Sequence, residues 1–395
     1  MLVISKDFFK QIEIHSKSIE LPALILSEES LFDNLHFWFQ NAKKKIRIAT
    51  KSIRSRQILD LITGTIDSKL SGLMCYDPRE ALWLASFGKK NILIGYPTTQ
   101  EKIILDIINS NFSQEITFTV DLVEHLEMLK KNSSPNKKIN ICIDIDSSYR
   151  FFGIYFGVMR SSLSSLSKIE KILQYLKSNM QYFNLNGIMT YEAQLAGVPD
   201  SIFINPLKNL AIKFLKNRSS NQMLHFRKNI HSLIQDFSYT FFNAGGTGNF
   251  IDLQNDPIVN EVTLGSGLYG PTLFDHYNNF SINSALIFAL ECSRNPQPYI
   301  YTLTGGGYVA SGALFPHTIP KIIFPRDINL LKNESVGEVQ TPIITKNDLK
   351  IGSMVFFKHS KAGEIFERFN YVNMINKNNE LKQISTYRGE NKCFL

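Results

Sequence analysis

Short apolar runs rich in β-branched residues alternate with longer amphipathic stretches as far as about residue 280. Continuous apolar runs are typical of strands buried on both faces of a parallel sheet, and apolar residues at helical spacing predict helices. The predicted strands are Ile46–Lys51, Gly72–Asp77, Asn91–Pro97, Glu115–Asp121, Asn140–Asp146, Leu185–Glu192, Thr240–Thr247 and Glu261–Gly270. The predicted helices are Leu31–Lys45, Ser55–Lys69, Pro78–Gly88, Gln100–Ser110, Leu122–Lys131, Ser161–Gln181 and Ser201–Ile234.

This alternation predicts an α/β fold, a (β/α)8 TIM barrel over residues 25–280. A doubly wound sheet is the alternative, which is disfavoured because no G-x-G-x-x-G segment follows the first strand. After residue 280 the pattern changes to short alternating runs between glycine-rich and polar turns, which predicts a C-terminal β-rich domain over 281–395. Residues 1–24 are expected to pack with that domain.

Composition and charge reduce the number of protein classes to which the chain is expected to belong. Of the 395 residues, 44% are hydrophobic and 20% are charged, a balance typical of a folded globular protein. The net charge of +8 is scattered and no nucleic-acid motif accompanies it, so no nucleic-acid partner is expected. No apolar run reaches the ~20 residues of a membrane helix, and the four cysteines form no C-x-x-C pair. We therefore expect a cytoplasmic protein without a membrane partner.

Polar residues at the C-terminal ends of the strands are the candidates for chemistry, because an α/β barrel builds its active site there. The first predicted strand ends in Lys51, and the residues before it are those of a mostly apolar, buried strand. One interpretation is a snorkelling or salt-bridged lysine. The other is a Schiff-base lysine, whose pKa falls when the amine is desolvated.

Two glycine-rich segments, residues 243–248 and 265–270, follow the last two predicted strands. Glycines let backbone N–H groups approach phosphate oxygens, and barrels commonly bind phosphate after strands seven and eight. The candidate phosphate-binding residues are Gly245, Gly246, Thr247, Gly248, Ser266, Gly267 and Tyr269. The alternative is a pair of tight turns.

The fifth and sixth predicted strands also end in polar residues. Asp144 and Asp146 point to one face of the fifth strand, where a metal is conceivable, but no histidine or third carboxylate is near in sequence. Tyr191 is placed either to lie against a flat cofactor or to fill the barrel mouth. A lysine and a phosphate-binding segment together meet the needs of an aldehyde cofactor with a phosphate. The sequence therefore predicts pyridoxal 5′-phosphate.

These segments resemble the fold-type III pyridoxal-phosphate enzymes, which include alanine racemase, D-threonine aldolase and D-serine dehydratase. R-I-A-T-K-S around Lys51 is similar to their lysine motif, and residues 245–248 and 265–270 are similar to their phosphate loops. The segments D-x-D-x-S-Y-R-x-x-G, which contains Arg150, and Y-E-A-Q, which begins at Tyr191, resemble those after the fifth and sixth strands.

The chain is most similar to a bacterial group named amino acid deaminase/aldolase. The shared segments include G-S-G-L-Y-G-P-T-L-F-D-H-Y at 265–277, G-E-V-Q-T-P at 337–342 and T-Y-R-G-E at 386–390. This resemblance covers nearly the whole chain.

The resemblance implies a homodimer that binds pyridoxal 5′-phosphate on Lys51 and acts on a small-molecule amino acid. It implies that Arg150 lies near the cofactor phenolate and that Tyr191 takes part in catalysis and cofactor binding. The favoured activity is that of a lyase, an aldolase or deaminase/dehydratase acting on a D- or β-hydroxy amino acid through an external aldimine. The alternatives are a racemase of the alanine racemase type and a non-catalytic carrier of the cofactor.

The resemblance also raises the question of a divalent metal. The aldolases and dehydratases hold one through a C-terminal histidine and a second ligand two residues later. His359 matches the first position, but Lys361 stands at the second, and an ammonium group repels a cation. Ile53 stands where those enzymes carry a histidine after the lysine. His359 is thus the metal-ligand candidate, with its second ligand missing at the expected place.

Overall fold

The chain forms two compact units in a computed structural model that describes residues 6–65, 68–135, 137–151, 153–201, 206–312 and 318–395. The first, here the barrel unit, comprises Asn41–Lys51, Thr65–Gly265 and Phe394–Leu395. The second, here the sheet unit, comprises Met1–Gln40, Ser52–Gly64 and Ser266–Cys393. The predicted domain boundaries at residues 24 and 280 stay a prediction.

The strands are short and mostly buried on at least one face. In chain order they are β1 Ala23–Ser27, β2 Lys45–Ala49, β3 Leu70–Cys75, β4 Ile92–Ile94, β5 Ile116–Val120, β6 Ile139–Ile145, β7 Tyr149–Phe151, β8 Ile154–Phe156, β9 Phe183–Thr190, β10 Phe241–Ala244, β11 Glu261–Leu264, β12 Leu286–Gln297, β13 Ile300–Thr304, β14 Lys321–Phe324, β15 Ile328–Leu330, β16 Gln340–Thr345, β17 Met354–Lys358, β18 Tyr371–Ile375 and β19 Leu381–Ser385.

The helices are amphipathic and mostly bury one face. In chain order they are α1 Lys6–Ile14, α2 Glu28–Gln40, α3 Arg56–Gly64, α4 Pro78–Ser86, α5 Glu101–Asn109, α6 Val123–Lys131, α7 Leu166–Lys177, α8 Ala193–Ala196, α9 Pro206–Leu233 and α10 Phe250–Leu253. Within the described ranges, none of these helices has both the length and the apolar sequence that a membrane crossing requires.

Eight parallel strands of the barrel unit close into a barrel in the order β2-β3-β4-β5-β6-β9-β10-β11. Strand β11 pairs with β2, with Val262 opposite Ile46, and this pairing closes the ring. The predicted (β/α)8 barrel and its eight strands are therefore confirmed. Several predicted strands extend too far at their C-terminal ends, because those residues leave the ladder and form the loops of the barrel mouth.

Apolar packing and a buried ion pair fill the barrel interior. The apolar cluster consists of Leu93, Cys142, Met189 and Phe241, with Met74 packed against it. Arg47 is fully buried, and its Nε donates to Glu261 Oε1 at 2.6 Å. Its Nη1 donates to the carbonyl oxygens of Leu73 and Asn91, at 3.0 and 2.8 Å. These added hydrogen bonds offset the desolvation that a buried pair costs.

The sheet unit contains one mixed sheet in the order β15-β16-β13-β12-β1-β18-β19, to which β17 and β14 add beside β12. Strand β1 runs antiparallel to β12 and parallel to β18. Helix α1 contributes Phe8, Phe9 and Ile12 to an apolar cluster that also holds Ile25 and Ile287. The predicted β-rich C-terminal region is thus confirmed as a sheet, and β1 is an element that the sequence pattern did not predict.

Candidate functional site

Lys51 lies just after β2, in a single-turn 3-10 helix at the C-terminal end of the barrel strands. Its Nζ donates a hydrogen bond of 2.8 Å to Tyr96 Oη. The same nitrogen lies 5.5 Å from the centre of the Tyr96 ring and 6.0 Å from the centre of the Tyr191 ring. The fold therefore brings the predicted Lys51 and Tyr191 together, and it adds Tyr96 to them.

The two phenols set the protonation of the lysine. Burial favours the neutral amine, but the phenol oxygens of Tyr96 and Tyr191 outweigh burial and raise the pKa of Lys51. Burial would likewise raise the pKa of Tyr96, but the Lys51 charge and its hydrogen bond lower it. Desolvation acts on the lysine pKa in the expected direction, but the two phenol oxygens that face the amine reverse the net shift.

Tyr191 also contacts the glycine-rich segment that follows β10. A Cβ on Gly246 would lie 3.5 Å from Tyr191 Cε2, so the ring packs directly on this glycine. Gly245 has a φ of +66°, and a Cβ there would come within 2.3 Å of a Leu253 methyl carbon. The turn after β10 therefore requires glycine at 245, and glycine at 246 leaves room beside the tyrosine ring.

The glycine-rich segment is held by hydrogen bonds of its own. The N–H of Gly245 donates to the Thr190 carbonyl at 3.2 Å, and the N–H of Gly246 donates to Asn249 Oδ1 at 3.0 Å. Thr247 and Gly248 are buried in the 3-10 turn that follows. The N–H groups of two predicted phosphate-binding residues therefore already donate to protein oxygens, one of them on β9.

A buried network of ion pairs and hydrogen bonds contacts this loop through Asn249. Arg227 on α9 pairs with Glu192 and donates from Nη1 to Asp256 Oδ2 at 2.7 Å. Glu192 is fully buried, and its Oε2 accepts from Asn249 Nδ2 at 3.2 Å. The network thus links α9 to the residue that holds Gly246. The sequence reasoning missed Arg227, because no spacing marks one arginine within a long basic helix.

The predicted Arg150 lies on the β7–β8 hairpin, and its guanidinium carbon is 5.6 Å from the centre of the Tyr155 ring. The arginine whose charge acts on both Lys51 and Tyr96 is Arg160. No motif in the sequence singled out Arg160.

Asp144 is a further titratable group at this end of the barrel. It shares a face of β6 with Cys142, which lies in the interior cluster. Its pKa is raised to about 7, because burial and the carboxylates of Asp121 and Asp146 disfavour its charge more than Arg160 favours it. A pKa in this range brings the titration of this carboxyl group close to neutral pH.

Comparison of the chain with known proteins identifies solved structures that have a similar fold. No protein-family model matches the chain, and no curated protein matches it. D-threonine aldolase from Filomicrobium marinum superposes with a TM-score of 0.76 at 13% identity, over 94% of this chain and 95% of that one. Alanine racemase from Clostridium difficile 630 gives 0.62 at 16% identity, over 93% and 98%. The chain has the alanine racemase-like fold.

A dehydratase shares this alanine racemase-like fold. D-threo-3-hydroxyaspartate dehydratase from Delftia sp. HT23 superposes with a TM-score of 0.73 at 11% identity, over 94% of this chain and 98% of that one. The predicted resemblance is therefore confirmed in the fold, along nearly the full length of each chain.

In this alanine racemase-like fold, the second predicted phosphate segment falls in the sheet unit. Ser266 and Gly267 form a 3-10 turn that follows β11 along the chain. Tyr269 is fully buried, donates from its hydroxyl to the Ile53 carbonyl at 3.2 Å and stacks on Phe366 at 5.3 Å between ring centres. These contacts explain how Tyr269 is fixed, and its predicted cofactor contact stays a prediction.

The predicted metal ligand is also in the sheet unit. His359 is buried, with Nδ1 2.9 Å from the Leu286 carbonyl oxygen and no hydrogen-bond partner for Nε2 in the described structure. Burial and the charge of Lys358 lower the pKa of His359 to about 3, so the ring is neutral. Lys361 Nζ donates to the Ser311 carbonyl at 2.6 Å. Among the described residues, no group of three His, Cys, Asp or Glu side chains is placed to hold a metal ion.

The Asp144 carboxyl group predicts a pH-dependent stability. Its folded pKa of about 7 exceeds the ordinary 3.8, so the folded state binds the proton more tightly than the unfolded state. The resulting stabilisation is present below the ordinary pKa and is lost as pH rises through about 7. We expect Asp144→Asn to remove this loss, measured as the free energy of unfolding in urea at acidic and mildly alkaline pH.

Asp236→Asn is the control, because its carboxylate is exposed and pairs only with the exposed Lys177 at 3.2 Å among the contacts described for it. This variant should keep the pH dependence of the wild type. An Asp144→Asn protein whose stability falls with pH as steeply as the wild type would contradict the assignment.

Proposed function

We propose that the chain is a pyridoxal 5′-phosphate-dependent enzyme of the fold-type III group that acts on an amino acid. The observation that carries the proposal is the position of Lys51 at the end of the first barrel strand, between Tyr96 and Tyr191. The shared fold supports it, because the D-threonine aldolase, D-threo-3-hydroxyaspartate dehydratase and alanine racemase are each named for an amino acid.

The proposed cofactor site is made of residues of the barrel unit. Lys51 supplies an amine for the cofactor aldehyde, and the bound cofactor supplies an electron sink for bonds at the amino acid Cα. Tyr191 supplies a flat surface next to that amine. Beside its ring, Gly246 leaves a gap that a Cβ would fill, at 3.4 Å from Ala196 Cβ.

The phosphate contacts that we propose follow from the hydrogen bonds of the loop. Because the N–H groups of Gly245 and Gly246 already donate to Thr190 and Asn249, Thr247 and Gly248 would meet the phosphate. Contacts from Arg150, Ser266, Gly267 and Tyr269 are part of the same proposal through the sequence resemblance.

The protein side of the reaction centres on Lys51. As a general base, its amine accepts the proton that leaves Cα or returns a proton there. The Tyr191 ring faces the same amine, with its centre 6.0 Å from Nζ. Asp144 holds a second exchangeable proton in the barrel mouth at neutral pH.

A divalent metal does not fit the described residues. His359 is flanked by the cations of Lys358 and Lys361, and its neutral ring is enclosed. We derive no step from a metal.

Within this class, we propose a lyase for a D- or β-hydroxy amino acid, working as a cytoplasmic homodimer. The aldolase and the dehydratase superpose with TM-scores of 0.76 and 0.73, against 0.62 for the racemase. The sequence segments that resemble the deaminase/aldolase group support the same choice.

The test is a titration of the protein with pyridoxal 5′-phosphate, followed by a screen of D- and L-amino acids with and without a chelator. We expect a visible absorption band, and release of an aldehyde or keto acid from a D-β-hydroxy amino acid. Exchange of the Cα hydrogen without product would replace the lyase by a racemase. A band that no amino acid alters would indicate a carrier, and absence of any band would overturn the proposal.

A further inference from the structure

We propose that Tyr96 is a positioning residue for Lys51: its phenol oxygen accepts a hydrogen bond from Nζ, which fixes the amine at the barrel mouth and stabilises its protonated form. The inference rests on the proposed function, since it assigns a residue to the same reaction. The segment Gly95–Pro97 carries no motif that marked it in the sequence.

The backbone next to Tyr96 is anchored. Tyr96 follows β4, which is separated from β2 by β3 in the barrel. The N–H of Gly95 donates to the Cys75 carbonyl at 2.7 Å, which ties the end of β4 to the end of β3. A Cβ on Gly95 would lie 3.0 Å from Met74 Cγ, so this glycine is held closely. The Tyr96 phenol therefore extends past β3 to Lys51 from a backbone that is held in place.

The contact matters for proton transfer. When the lysine amine takes a proton from Cα, the electron pair of the C–H bond stays on carbon and Nζ becomes an ammonium group. Tyr96 Oη, 2.8 Å away, then faces a full positive charge, and it neither gains nor loses a proton itself. For an amine that enters this step unprotonated, a hydrogen bond that stabilises its protonated form favours the proton transfer.

Other charged or titratable groups around the Lys51–Tyr96 pair also affect its pH dependence. Tyr191 faces Nζ and favours the ammonium form, whereas Arg160 opposes it. Arg160 and Asp144 face the phenol, with opposite effects on its ionisation. Removal of the Tyr96 oxygen leaves burial and Arg160 acting against Tyr191 alone among these groups.

Tyr96 is a good position for substitution, because its side chain is 40% exposed and contributes little to the core. Tyr96→Phe removes the oxygen and keeps the ring. The matched control is Tyr182→Phe, since Tyr182 precedes β9 at the other end of the barrel strands and lies under a different lysine, Lys130, at 5.0 Å.

The measurement is competitive acetylation of the protein without cofactor, with acetic anhydride over a range of pH and peptide mapping of Lys51. In Tyr96→Phe, we expect the Lys51 acetylation curve to move to lower pH, with several-fold faster acetylation at pH 8. Tyr96→Leu should give the same movement, and Tyr182→Phe should leave the Lys51 curve in place. Urea unfolding of each variant shows that the proteins compared are folded.

The result separates this inference from the proposed function. An unchanged Lys51 curve in both Tyr96 variants overturns the role of Tyr96, whether or not the cofactor binds. Failure of the wild type to form a cofactor band overturns the proposed function, while a moved curve would still establish that Tyr96 stabilises the protonated amine. In the loaded enzyme, Tyr96→Phe should keep the band and lower kcat more than it changes KM.

Discussion

Lys51→Ala is expected to lose both the visible absorption band of bound pyridoxal 5′-phosphate and all measurable turnover. The reason is chemical, since the Nζ atom is the nucleophile that bonds to the cofactor aldehyde and is also the proposed base. Lys51→Arg should fail as well, because a guanidinium keeps the positive charge but does not lose its proton to act as a nucleophile. Absorption spectra and amino-acid turnover of the purified variants measure both effects.

Lys130→Ala is the control for this loss. Lys130 also lies over a tyrosine ring, at 5.0 Å from the centre of Tyr182, but it does so away from the barrel mouth. The control should keep the band and the activity of the wild type. A Lys51→Ala enzyme that turns over its substrate would refute the assignment of Lys51.

Arg227→Met is expected to lower the free energy of unfolding by about 3–5 kcal/mol, the cost of breaking a buried pair by removing one partner. Arg227 is 3% exposed, and its loss leaves the carboxylates of Glu192 and Asp256 buried without their shared cation. Glu192 also orients Asn249, which holds the N–H of Gly246. We therefore expect the same variant to bind the cofactor more weakly, because the loop that contains Gly246 is held less firmly.

Urea unfolding and a cofactor titration measure the two effects. The control is Arg218→Met on the same helix, where an exposed guanidinium lies 5.4 Å from the Phe214 ring and its loss should change stability by no more than about 0.5 kcal/mol. Adding Glu192→Gln to Arg227→Met removes one of the two stranded charges and should restore part of the stability. A loss below about 1 kcal/mol in Arg227→Met, far less than removal of one partner of a buried pair costs, would contradict the structural role assigned to Arg227.

The barrel could be predicted from the sequence because strands buried on both faces have continuous apolar runs. The run I-L-I of β4 and the run I-C-I of β6 are examples. Strand β1, A-L-I-L-S, has the same character, but it pairs with strands of the sheet unit more than 250 positions away. Local pattern carries no information on such partners, so this strand was missed.

The sequence predicted those residues of the candidate site that a local sequence pattern marks. Lys51 ends an apolar run, and Gly245 and Gly246 lie in a glycine-rich turn, so both were found. Tyr96 and Arg160 were missed, because their effect on Lys51 depends on how the ends of different strands come together in the barrel. The net upward shift of the Lys51 pKa was not predicted, for the same reason.

The most direct test of the account is to add pyridoxal 5′-phosphate, reduce the carbon–nitrogen double bond with borohydride and map the modified peptide by mass spectrometry. The account predicts one labelled peptide, the one that contains Lys51, and loss of that label in Lys51→Ala. Label that is absent from this peptide, or that is spread over surface lysines such as Lys130, would contradict it.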